Sequence, residues 1–273
     1  MTTPCVQLLF PMGGLGTRFA QVGIALPKPL IDVDGAPMIL KALSSFQNIL
    51  NPQQIPVRLL FIVREEHEAE HGLRTKLKVA LQPLCDANSD VSVHFFMMQH
   101  DTRGAAETCL LARDLLLPDC PVVIMDCDTF FLSKEYDNYL LRFARKDPSV
   151  QHVGGLLVYF QSKAPRYSFA RLAPNSNEVV QTAEKVPISS NALIGAYCFT
   201  SAKLFVDAAN RLVAQPINAD TGIKEYYISL CFNHVLADNN FKVVAVPKEQ
   251  YHSFGTPDEL ANYNAGHQSH YEE

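Results

Sequence analysis

Short apolar runs recur along the first half of the chain at Val6 to Phe10, Val57 to Val63, Val91 to Met97 and Val122 to Met125. Their length and β-favouring residues predict buried strands, while the segments between them have helical length. Met38, Ile39, Ala42, Leu43, Phe46 and Leu50 recur at three- and four-residue intervals, which sets one apolar stripe along a helix between the first two strands. Further helices are predicted at about 65–82 and 104–117. This alternation predicts a parallel α/β sheet whose ligand site lies at the carboxyl ends of the strands.

After Asp137 the pattern changes. Val153 to Phe160, Phe169 to Leu172, Val179 to Thr182 and Leu193 to Phe199 read as strands with little helix between them, so the sheet is expected to be mixed. Helices return near 201–214 and 223–238, then a strand at 242–246 and a last helix from Pro257. The expected fold is a Rossmann-like three-layer α/β sandwich with a mostly parallel, mixed sheet. One domain is expected over residues 1–273, with its two halves at 1–135 and 136–273.

Composition narrows the class more than the fold. A formal net charge of −5 gives no basic surplus for nucleic acid. The seven cysteines include no C-x-x-C pair and read as buried free thiols of a reducing compartment. No apolar run is long enough to span a bilayer, and no basic stretch precedes the first strand, so a cytoplasmic protein without a membrane partner is expected. A homo-oligomer is compatible with the sequence. His67 and His71 stand four apart but flank Glu66, Glu68 and Glu70, which favours a solvated helix face over a metal site.

The segment PMGGLGTRF follows the first strand directly. Gly13, Gly14 and Gly16 remove the side chains that would hold a backbone away from phosphate oxygens. A Walker loop would need a Lys where Thr17 and Arg18 stand, and a dinucleotide fingerprint would need a third Gly where Phe19 stands. The continuation PKPLIDVDG holds Lys28 between two prolines in an expected extended segment, so that Arg18 and Lys28 could bracket a polyphosphate. In VVIMDCDTFF, Asp126 and Asp128 close an apolar strand, where paired carboxylates call for a cation, and hard oxygen ligands in low number suit Mg²⁺.

With these motifs in that order, the sequence resembles the sugar-phosphate nucleotidyltransferases, the nucleotide-sugar pyrophosphorylases, whose signature is G-G-x-G-T-R followed by P-K-P. It also looks like a smaller branch with capsule-type and cytidylyltransferase-like members. The resemblance implies the nucleotide-diphospho-sugar transferase fold, with Met12, Gly13, Gly14, Gly16, Thr17, Gln99 and Gly104 around the nucleotide. Gln99 aligns with a family Gln that meets the base edge. It further implies Asp128 as the metal-binding Asp, with Asp126 as a second candidate for Mg²⁺. Glu184, Lys185 and Gly195 in TAEKVPIS and IGAYCF match acceptor-site elements, and Lys185 would meet the acceptor phosphate. SFGTPDEL resembles the family turn into the last helix, with Thr256 as N-cap, but Ser253 stands where the family carries a second metal Asp.

These residues imply condensation of a nucleoside triphosphate with a sugar 1-phosphate, giving a nucleotide-diphospho-sugar and pyrophosphate. Arg18, Lys28, Asp128 and Lys185 are the expected catalytic set: Arg18 on the β- and γ-phosphates, Lys28 near the α-phosphorus. The alternatives are a cytidylyltransferase for a small phosphorylated amine or amino acid, and a catalytically impaired nucleotide-sugar-binding regulator. A glycosyltransferase shares the D-x-D pattern of Asp126 and Asp128 but has no need of the triphosphate loop.

Overall fold

The structure, a computed structural model, describes residues 4–51, 54–218 and 224–268. Its centre is a nine-stranded sheet. β1 (Val6–Met12) is flanked by β4 (Val57–Arg64) and β6 (Val122–Met125), with β5 (Val91–Met98) beyond β4, all parallel. On the far side of β6 lies β11 (Asn191–Phe199), antiparallel to it. β11 also pairs antiparallel with β8 (Val153–Gln161) and, at Ala192, with β9 (Ser168–Leu172). β10 (Val179–Glu184) pairs with β9, and β12 (Asn240–Ala245) runs parallel to β8. Two small antiparallel pairs lie outside this sheet: β2 (Asp32–Val33) with β3 (Ala36–Pro37), and β7 (Thr129–Phe131) with β13 (Tyr251–Ser253).

The central strands read as unbroken apolar runs because both their faces are covered. On β1, Val6, Leu8, Phe10 and Met12 point into one core and Leu9 into the other, the period-two alternation of a strand. The first core is closed by α2 (Met38–Leu43), α4 (Leu73–Ala87) and α6 (Lys134–Ala144); the second by α5 (Ala105–Leu111), α7 (Ala202–Val213) and α8 (Ile228–Cys231). This is the three-layer sandwich expected. Gln7, fully buried, clips the strand ends together by donating to Leu117 O and accepting from Leu117 N.

Several elements are shorter than periodicity predicts. The helix expected over 65–82 breaks at Gly72, whose φ of 61° ends α3 (Glu65–His71) before α4 begins. Within α3, His67 is buried rather than solvated, and its ring lies 6.5 Å from that of His71. Burial and the neighbouring Arg64 charge lower its pKa. The helix expected over 104–117 becomes α5 and a 3₁₀ turn at Arg113–Leu115. Of the helix expected over 223–238, α8 and a 3₁₀ turn at Phe232–His234 are found, and residue 223 lies outside the described residues.

A third, smaller core matters most for the cleft. Phe19 of α1 (Thr17–Ala20), Ile31, Val33, Met38, Phe254, and Leu260 and Tyr263 of α9 (Pro257–Gln268) are buried against one another. The last helix therefore buttresses the glycine-rich loop near the start of the chain.

Candidate active site

The glycine-rich loop leaves β1 at Met12 and turns into α1 through Gly16, whose φ of 64° lies in the left-handed region open to glycine. Gly13 is pressed against Met98, since a Cβ there would sit 2.8 Å from the thioether sulfur, whereas nothing lies within 4 Å of such an atom at Gly14. The loop is held from behind by Arg64, a buried guanidinium at the end of β4 that donates to Gly13 O at 3.0 Å and pairs with Asp101 at 2.7 Å. The one charged residue closing an apolar strand was the available sequence signal for Arg64, and motif reading passed over it.

Lys28 occupies a 3₁₀ turn, Lys28–Leu30, and not the extended segment expected. Pro27 enters the turn with ψ of 136°, and Pro29 lies inside its first turn, where a missing N–H costs nothing. The turn aims Lys28 Nζ at Asp128 Oδ2, 2.5 Å away. Burial, the largest single influence, would lower the Lys28 pKa, but the charges of Asp128, Cys127 and Asp126 and the hydrogen bond to Asp128 together outweigh it and leave the pKa raised.

Asp126 and Asp128 follow β6 on either side of Cys127, which turns into the core. The carboxylate of Asp126 faces the open cleft but is crowded by protein, and this desolvation, followed by the Asp128 charge, raises its pKa. Gly195 explains how it fits. The β8–β11 register shifts between Leu193 and Tyr197, Gly195 has φ of 81°, and a Cβ there would lie 2.6 Å from Asp126 Oδ2. The missing side chain thus makes room for a carboxylate of the protein itself.

Three cavities meet at this carboxyl edge of the sheet. One of about 260 Å³ lies between the loop and the Lys28–Asp128 pair and is lined by Met12, Gly14, Gly16, Asp126 and Asp128. A second, of about 700 Å³, extends past Gly13, Gly14 and Thr17 to Arg64, Met98, Thr102 and Gly104. Gly104, at φ of 143°, is where the backbone of Tyr226 docks; a Cβ would sit 2.5 Å from Tyr226 N. Tyr226 N donates to Arg103 O and Ala106 N donates to Tyr226 O, so the chain before α8 closes one wall. Gln99 is not among the lining residues: it is exposed beyond β5, and its amide donates to Glu65 at 3.1 Å.

The third cavity, about 520 Å³, shares the aspartates with the first. Asp126, Asp128, Glu184, Lys185 and Gly195 line it, as does Arg18, which the structure places here and not along the glycine-rich walls of the other two. Lys185 has φ of 57°, and its Nζ donates to Tyr227 Oη at 2.7 Å above the Tyr227 ring. Burial raises the Glu184 pKa, and the Ser229 hydroxyl, donating at 2.7 Å, eases that shift. Arg166 and Glu259, which motif reading had not singled out, pair across this cavity at 2.7 Å. Among the described residues, no group of three or more His, Cys, Asp or Glu side chains is gathered tightly enough to hold a metal alone.

The model of the nucleotidyl transferase family matches residues 11–258, from the glycine-rich loop to the start of α9. The chain belongs to that family. Among solved structures, a nucleoside-diphosphate-sugar pyrophosphorylase from Vibrio cholerae RC9 is similar over 94% of this chain and 99% of its own, with a TM-score of 0.77 and 24% identity. A UDP-glucose pyrophosphorylase complexed with UDP-glucose is similar over 97% and 99%, with a TM-score of 0.72 and 15% identity. At these identities the likeness is one of fold. No curated protein matches the chain. Asp126 and Asp128 line both the first of the glycine-walled cavities and the third cavity. No helix among the described residues is long and apolar enough to cross a membrane.

Proposed function

We propose that this nucleotidyltransferase condenses a nucleoside triphosphate with a sugar 1-phosphate, forming a nucleotide-diphospho-sugar and pyrophosphate. The observation that carries the reading is that Asp128, paired with Lys28, lines both a glycine-walled cavity and the third cavity. The triphosphate lies along Gly13, Gly14, Gly16 and Thr17, with its base toward Met98, Thr102 and Gly104. The acceptor occupies the third cavity, its phosphate near Lys185 and Arg18 and its hydroxyls near Glu184. An acceptor phosphate oxygen attacks the α-phosphorus, the new P–O bond forms, and the bond to the β-phosphate breaks with pyrophosphate leaving. A phosphate nucleophile is already ionised near neutral pH, so positioning and charge neutralisation carry the rate. Lys28, released from Asp128 by the incoming anion, contacts the α-phosphate.

The donor set also fits a divalent ion. Asp128 and Asp126 offer hard oxygens in low number at an open cleft, which suits Mg²⁺ that keeps water and phosphate ligands. When bound, Mg²⁺ neutralises charge on the triphosphate and the leaving pyrophosphate.

The third cavity also supports a phosphorylated amine as acceptor. Tyr167, Tyr197, Tyr227 and Tyr251 line it beside Glu184 and Glu225, a setting of aromatic faces and carboxylates suited to a cation. Pyrophosphate release from the purified protein, in a matrix of the four common triphosphates against sugar 1-phosphates and phosphorylated amines, separates the two. The proposed function predicts release with a sugar 1-phosphate. Release confined to phosphorylated amines would support the second reading, and silence across the matrix would contradict both.

A further inference from the structure

Three side-chain oxygens surround the turn that enters α9 at Gly255. A Cβ on Gly255 would lie 3.4 Å from Ser253 Oγ, 3.5 Å from Asp128 Oδ2 and 3.5 Å from Glu259 Oε2. The absence of a side chain at Gly255 keeps the space between these oxygens clear. Glu259 is fixed there from both ends. Its backbone N–H donates to the Thr256 hydroxyl at 3.3 Å, which caps the helix, and Ser253 Oγ donates to its Oε2 at 3.0 Å. Its other oxygen pairs with Arg166, so Oε2 is the oxygen turned toward Asp128. The Glu259 side chain is only 20% exposed.

We propose that Glu259 supplies a further protein carboxylate, besides Asp126, for the Mg²⁺ bound at Asp128, doing from the first turn of α9 what the neutral Ser253 does not. The inference rests on the reading that the cleft binds Mg²⁺ at Asp128. Its logic is the same in both ion pairs of the cleft. Lys28 sits on Asp128 and Arg166 on Glu259, each a cationic side chain on a carboxylate that faces the Gly255 turn. Ser253 then acts as a positioning residue, aiming Oε2 through its hydroxyl.

Binding of Mn²⁺ alone to the full chain, followed by loss of the free-ion electron paramagnetic resonance signal, tests this without any turnover. Glu259→Gln is expected to weaken Mn²⁺ by about tenfold or more, and Asp128→Asn to do the same. Adding Ser253→Asp to the Glu259→Gln protein is expected to recover most of the lost affinity, because it returns a carboxylate to the same point. Arg166→Ala, which removes the competing cation, is expected to hold Mn²⁺ at least as tightly as the unmodified chain. Circular dichroism confirms that each variant is folded, and the recovery in the double variant separates a lost ligand from a damaged fold. Unchanged Mn²⁺ affinity in Glu259→Gln beside a loss in Asp128→Asn would overturn this inference and leave the proposed function standing. Unchanged affinity in Asp128→Asn, or no saturable binding by the unmodified chain, would overturn the metal reading on which it rests.

Discussion

At the scale of single residues, the cleft is organised by where side chains are missing as much as by where they are present. Gly195 and Gly14 illustrate two different needs. At Gly195 the positive φ and the 2.6 Å approach of Asp126 Oδ2 leave no place for a methyl group. Gly195→Ala is therefore expected to destabilise the fold by about 1–2 kcal/mol and to displace Asp126, lowering kcat by about tenfold or more. Gly14 has open space around it, so Gly14→Ala is expected to leave the melting temperature unchanged and to weaken triphosphate binding. Calorimetry with steady-state kinetics checks both, and equal effects of the two substitutions on stability would contradict this division of roles. Lys28, Asp126, Asp128 and the loop glycines were legible in the sequence because each stands in a short local pattern. Arg64 and Glu259 were not, because their partners Gly13 and Arg166 lie far off along the chain. Gln99 shows the converse: a residue aligned by motif can be turned away by one neighbour, here Glu65.

At the scale of elements, the small core joining α1, the β2–β3 hairpin and α9 fixes the mouth of the phosphate cradle. Phe19 is its centre, fully buried, with its ring 5.9 Å from Lys28 Nζ. Phe19→Ala is expected to cost about 3–5 kcal/mol and to raise the KM for triphosphate more than that for acceptor, since only the loop side is loosened. A melting temperature within about a degree of the unmodified protein would contradict this. The main strands and the covering helices were legible from periodicity, because strands buried on both faces give unbroken apolar runs. The break at Gly72 and the 3₁₀ ends of α5 and α8 were not, because apolar spacing continues across a glycine that the backbone uses to change direction. The single Gly in HGLR was the signal that could have placed that break.

At the scale of the whole molecule, one buried carboxyl ties stability to pH. Asp137, in the first turn of α6, is buried with one oxygen accepting from Asn48 Nδ2 at 2.6 Å and the other without a partner among the described residues. Burial pushes its pKa up from 3.8 to about 6, against the opposing hydrogen bond from Asn48. Between those values the folded chain holds more protons than the unfolded chain, so this group's contribution to stability falls as pH rises from about 4 to about 6. Asp137→Asn removes the titration. Its stability relative to the unmodified protein is expected to improve by on the order of 1–3 kcal/mol between pH 4 and pH 7, and any fixed cost of the amide cancels in that comparison. Urea unfolding at the two pH values checks this, and a pH-independent difference would contradict it.

The whole cleft works as proposed only if an acceptor phosphate in the third cavity attacks an α-phosphorus held beside Lys28. Transfer of ³²P from an α-labelled triphosphate to a sugar 1-phosphate, compared between the unmodified chain and Lys28→Ala, tests this most directly. The account predicts label in a nucleotide-diphospho-sugar with one pyrophosphate released per transfer, and a loss of about a hundredfold to a thousandfold in kcat for a folded Lys28→Ala protein. Label released only as nucleoside monophosphate, or near-normal transfer by Lys28→Ala, would contradict it.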